Sequence, residues 1–138
     1  MKFLDSSIFL HAYLRPRRRL RENELRVKKL SKEIIENVDN GEEVLTTVVH
    51  ISEIVNIVES KIGLMESISL LARLLTLKNI LIVDVTRQDY QKALVIANKY
   101  KVSVNDALAY IKMMETGINE IYTFDKHFKS LPNIKVYP

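Results

Sequence analysis

Four carboxylates in this chain stand where apolar neighbours make a charge costly. Asp5 ends the run Lys2-Phe3-Leu4, and Asp125 ends a run from Ile118 to Phe124. Glu53 lies among Val49, Ile51, Ile54 and Val55, and Asp106 sits in the first turn of a nearly apolar stretch from Val104 to Ile111. A lone carboxylate in such surroundings is unfavourable. Several held close together repel unless a cation neutralises them. All-oxygen donors suit Mg²⁺ or Mn²⁺. An ion of that kind activates water and braces a phosphate for in-line attack, with paired ions ~3.5–4 Å apart. The chemistry that this set of residues suggests is phosphodiester hydrolysis.

Each acid also has a plainer reading. Ser103 and Asp106 match the Ser-x-x-acid capping box, with Asp as a shorter substitute for the usual Glu or Gln. Asp5 and Asp125 suit N-caps of the turns that follow them. Glu53 suits an exposed helical position.

The elements that must position these residues follow from hydrophobic periodicity. Lys2 to Asp5 reads as a short buried strand, and Ser6 to Leu14 as a helix stopped near Pro16. Arg17 to Arg21 is a basic loop or helix start. Leu25, Val27, Leu30, Ile34, Ile35 and Val38 then recur at helical spacing, closed by Asn40-Gly41. Glu43 to Thr46 is a strand, after which Thr46 or Thr47 caps a helix with a stripe of Val48, Ile51, Val55, Val58 and Ile62, Ile54 lying beside it. Gly63 separates it from a helix at Leu64 to Leu77. Ile80 to Val83 is a strand, Thr86 to Tyr100 a helix, and Ser103 opens the next helix, which Gly117 stops. Ile118 to Phe124 and Ile134 to Tyr137 are strands joined by a tight turn at Lys126 to Leu131. Short apolar strands alternating with helices imply right-handed crossovers and a parallel sheet covered on both faces. Functional groups in such sheets gather at the strands' carboxyl ends, where all four acids can meet.

The 138 residues suit one domain, and an apolar fraction of 47% suits a packed core. No apolar run reaches the ~20 residues that span a bilayer. Asp5 and His11 interrupt the N-terminal apolar segment, so no signal peptide is expected, and the lack of cysteine fits a cytoplasmic protein. The net charge of +4 is uneven: residues 1–32 carry +7. Arg15, Arg17, Arg18, Arg19 and Arg21 concentrate it, as a nucleic-acid backbone contact or as a solvated surface. Three glycines and three dispersed histidines leave no phosphate-cradling loop and no zinc-ligand spacing, and no serine elbow is present.

Phe3-Leu4-Asp5-Ser6-Ser7, Ser52-Glu53-Ile54, Asn105-Asp106-Ala107 and Tyr122-Thr123-Phe124-Asp125-Lys126-His127-Phe128 together resemble the PIN-domain nucleases. Their order and spacing are similar to those of the small VapC-type toxin ribonucleases of toxin–antitoxin pairs. The resemblance covers essentially the whole chain as one PIN-like domain. It implies a three-layer α/β/α sandwich with a mainly parallel sheet, and a Mg²⁺- or Mn²⁺-dependent endoribonuclease. Asp5, Glu53, Asp106 and Asp125 would be the metal-binding acids, Asp5 and Asp106 the main ligands. Ser7 and Thr123 would orient a carboxylate or water. It also implies an RNA substrate, an antitoxin partner and a homodimer, which we place partly on the helices at 48–78. The run of arginines exceeds what the family pattern requires. Two other readings are a catalytically silent PIN-like interaction module and a phospho-accepting receiver domain. The latter normally has an acidic pair after its first strand, where this chain has Ser6-Ser7.

Overall fold

The computed structural model describes residues 1–138. Its strands are β1 (Lys2–Leu4), β2 (Val44–Thr47), β3 (Ile80–Val83), β4 (Glu120–Tyr122) and β5 (Lys135–Tyr137). Its helices are α1 (Ser6–Tyr13), α2 (Glu22–Asp39), α3 (Val48–Lys61), α4 (Leu64–Thr76), α5 (Arg87–Tyr100) and α6 (Val104–Thr116). Every strand pair is parallel, in the order β3-β2-β1-β4-β5. No helix is long and apolar enough to cross a membrane.

The pleat sends successive residues to opposite faces, and two cores result. Leu4, Val44, Ile80 and Tyr122 pack with α1, α2, α3 and α4 on one face. Phe3, Leu45 and Ile121 pack with α5, α6 and Phe128 on the other. The three-layer α/β/α arrangement is therefore as expected, and its sheet is parallel throughout.

Local chemistry sets the boundaries. The Thr47 hydroxyl accepts from the N–H groups of Val49 and His50 at the start of α3. Thr86 and Asp89 exchange both bonds of a capping box at the start of α5. Gly117 ends α6 at φ 72°, a left-handed backbone that glycine adopts without a Cβ clash.

Two elements differ from the periodicity, while the tight turn after Asp125 is where it was expected. The Ile118–Phe124 strand shrinks to β4, because Ile118 gives its N–H to Met113 at the end of α6 and Phe124 gives its own to Ser7 Oγ. Lys126–Ser130 is a 3₁₀ turn. The buried stripe of α3 runs through Ile51, Ile54 and Val58 with His50, while Val48 and Ile62 are exposed. Contacts with α1 and α4 as well as β2 rotate its inner face toward Ile54.

The end of α1 rests on one buried lysine. Lys28 Nζ donates to the carbonyls of His11, Ala12 and Leu14 at 3.3, 3.0 and 3.1 Å. Burial pushes its pKa down, and the carbonyls at a helix C-terminus are the partners that a buried ammonium needs. Replacing Lys28 with Met should keep the stem's packing and orphan three carbonyls. The expected loss is about 1–3 kcal/mol in urea unfolding, and an unchanged midpoint would contradict this reading.

Candidate active site

The connection from β1 leaves through α1 on one face, and β4 is entered from α6 on the other. Neighbouring strands whose connections diverge open a crevice at their carboxyl ends. Here the crevice is a cavity of about 430 Å³ lined by Asp5, Ser6, Ser7, Glu53, Asn105, Asp106 and Asp125 among others. The four carboxylates from four parts of the chain do converge on one place.

Asp5 occupies the N-cap position of α1 but makes no capping bond. Its Oδ2 instead accepts from Ser7 Oγ and Thr123 Oγ1, each at 2.7 Å. Thr123 Oγ1 in turn accepts the N–H of Asp125 at 3.0 Å, and Ser7 Oγ accepts that of Phe124 at 3.2 Å. The two hydroxyls thus tie the ends of β1 and β4 together and aim Asp5. Glu53 is half-buried. Its Oε1 accepts from Ser6 Oγ, and its Oε2 from Asn105 Nδ2 at 2.7 Å.

Asp106 fills only half of a capping box. Ser103 Oγ accepts its N–H at 3.1 Å, but the carboxylate returns no bond. Asp106 is 6% exposed, and its Oδ2 has no hydrogen-bond partner. Burial, then the adjoining Asp125, then Asp5, push its pKa up to about 8. For Asp125, burial acts upward, yet the His127 backbone N–H, the Asp106 carboxyl and the His127 ring together hold its pKa below the usual value. Burial and the neighbouring acids thus favour the protonated form of Asp106.

His127 is part of this arrangement. Its backbone N–H and ring Nδ1 lie 2.9 and 2.8 Å from Asp125 Oδ1. One ligating atom each from Asp106, Asp125 and His127 lies within 4.8 Å of the other two, a separation that one coordinated ion can bridge. Beneath the cavity, buried His50 sets Nδ1 against Thr47 Oγ1 at 2.7 Å, with Nε2 3.9 Å from Asp5 Oδ1. Burial lowers its pKa, so it stays neutral and brings no charge to the acids.

Ser6, Asn105, His50 and His127 escaped sequence reasoning. The histidines lack zinc-type spacing, but the Asp125-x-His127 interval, which lets a ring fold back on its own N-cap, was a usable signal. All five arginines of the basic cluster are exposed, and none lines the cavity. Arg18 is engaged elsewhere, forked onto Glu24 with both bonds at 2.9 Å.

The raised pKa of Asp106 has a testable sign. With the folded value near 8 and the ordinary one at 3.8, the folded chain keeps a proton that the unfolded chain has released. The group's contribution is most favourable below that lower value and declines as pH rises between the two. In chelator, Asp106→Asn should raise the melting temperature by a few degrees at pH 8 and flatten its decline with pH. Parallel melting curves for the two proteins would refute the assigned burial and repulsion.

The profile of the PIN domain matches residues 2–134. No curated protein matches the sequence. Among solved structures, the Mycobacterium tuberculosis sarcin–ricin-loop-cleaving toxin VapC20 is similar with a TM-score of 0.74 at 20% identity, over 100% of both chains. A toxin–antitoxin complex from Klebsiella pneumoniae is similar with a TM-score of 0.66 at 12% identity, over 98% of this chain and 96% of that one. VapBC2 from Rickettsia felis, bound to a DNA fragment from its promoter, gives 0.65 at 14% identity over 99% and 96%.

Proposed function

The chain belongs to the PIN domain family, and on that premise we propose that it is a metal-dependent endoribonuclease acting as the toxin of a toxin–antitoxin pair. The observation that carries this reading is the carboxylate of Asp106, buried against Asp125 with one oxygen unpartnered. An orphaned buried acceptor among other acids fits a site for a divalent cation. The match is to a nuclease family with an intact set of four acids, which disfavours a silent interaction module. A receiver domain belongs to another family and is set aside.

Asp5, Asp106 and Asp125 would hold Mg²⁺ or Mn²⁺, with Glu53 completing the set directly or through water. Bound there, the ion supplies hydroxide at neutral pH and positive charge against the phosphate. Ser7 and Thr123 hold Asp5 in one rotamer, and Ser6 and Asn105 do the same for both oxygens of Glu53. Fixing these rotamers before substrate arrives removes an ordering cost from the reacting complex. Asp106 would hold the ion as a carboxylate, its proton released to solvent. Arg15, Arg17, Arg19 and Arg21 remain free of ion pairs and are the candidates for phosphate contacts outside the cavity. Arg18 serves the loop instead.

The likeness to toxin–antitoxin complexes supports an antitoxin as partner. We place the second copy of a homodimer partly on α3 and α4, where Ile62, Leu64, Met65, Ile68 and Leu75 are exposed. One domain in the cytoplasm completes the proposal. A monomeric mass by light scattering at working concentration would remove the dimer.

The deciding experiment is cleavage of a labelled structured RNA with Mg²⁺ or Mn²⁺, against EDTA. Asp5→Asn and Asp106→Asn should each lower the rate by at least about 100-fold, and Asn105→Ala by about 10-fold through Glu53. Cleavage that survives EDTA and both aspartate changes would overturn the assignment.

A further inference from the structure

The lining of the cavity is not uniform in what it leaves free. Hydroxyl and amide donors already occupy Asp5 Oδ2 and both oxygens of Glu53. At the other end, Asp106 Oδ2 has no donor at all, and a carboxylate oxygen of Asp106 lies within 4.8 Å of ligating atoms of Asp125 and His127. Of the histidines, His50 is sealed against Thr47, whereas His127 is 69% exposed along its side chain. Its ring can turn toward a ligand without disturbing the core.

We propose that His127 supplies a nitrogen donor to this centre, so that the site prefers a transition-series divalent ion, Mn²⁺ in particular, over Mg²⁺. The inference rests on the metal site proposed above and specifies its donor set. Mg²⁺ demands oxygen ligands and retains its waters, while imidazole binds first-row transition ions well and carboxylates are shared by both classes. The Asp125 carboxylate already meets the ring at Nδ1. Two donor atoms that close suit adjacent ligands of one ion, with Nδ1 the ring nitrogen that would bind it. The 3₁₀ turn that begins after Asp125 creates this placement, since it brings residue 127 back over its own cap.

The test is Mn²⁺ titration of the full chain followed by electron paramagnetic resonance, with Mg²⁺ as competitor, on the wild type, His127→Gln and Asp106→Asn. Bound Mn²⁺ in the wild type should show ¹⁴N coupling in the pulsed spectrum, and His127→Gln should lose it. That change should weaken Mn²⁺ about tenfold while altering the Mg²⁺ competition constant by less than about twofold. Because His127 is exposed, the variant should melt with the wild type, which separates ligand loss from misfolding. Absent ¹⁴N coupling in the wild type would sink the inference, as would coupling that persists in His127→Gln or an equal loss of both ions. In each of those cases Mn²⁺ binding that is lost in Asp106→Asn would leave the metal-dependent nuclease standing. No Mn²⁺ binding by the wild type would overturn both.

Discussion

Carboxylates gathered at one sheet edge repel one another, and the surroundings of this crevice are organised by that repulsion. None of Asp5, Glu53, Asp106 and Asp125 pairs with a lysine or arginine. Their charge is met largely by neutral donors instead: Ser7 and Thr123 on Asp5, Ser6 and Asn105 on Glu53, and the His127 backbone N–H on Asp125. Asp106 has an oxygen that no such donor meets, and burial with the adjoining Asp125 pushes its pKa up. Neutral donors hold an acid in position without cancelling its charge, so the negative field survives for a cation. A lysine in the same place would cancel that charge instead.

The sheet makes this concentration of acids possible. All strands point the same way, so every carboxyl end opens on one edge, and helices on both faces shield that edge from below. The order reverses between β1 and β4, which parts the covering helices where Asp5 and Thr123 stand side by side. Phe3 and Ile121 pack downward into one core, Leu4 and Tyr122 into the other. The candidate site residues Asp5 and Thr123 thus sit directly above buried strand residues, which restricts their freedom.

Much of this was readable from the sequence because it is local. Strands that end in acids, Thr47, Thr86 and Ser103 as caps, and Gly117 as a stop are short-range signals, and the structure follows them. What stayed hidden depends on distant pairs. The Ser6–Glu53 and Glu53–Asn105 bonds join residues 47 and 52 positions apart, and no periodicity reports which serine or asparagine faces a carboxylate. The inward face of α3 could not be judged from one stripe when several elements press on the helix. The arginine cluster shows the limit of charge counting: composition located it correctly, but only geometry distinguishes Arg18, committed to Glu24, from its neighbours.

The bond from Thr123 to Asp5 spans 118 positions, and the Thr123 N–H reaches Tyr137. Strand β4 must therefore slot between β1 and β5 before the first acid is aimed. With only α1 to α4 and the first three strands in place, Asp5 would be held by Ser7 alone. The full geometry of the crevice therefore depends on a pairing of high sequence separation, the kind of contact that slows folding. The crevice thus reports on the completed sheet: a change that disturbs the docking of β4 would be felt at Asp5 although no acid had been altered.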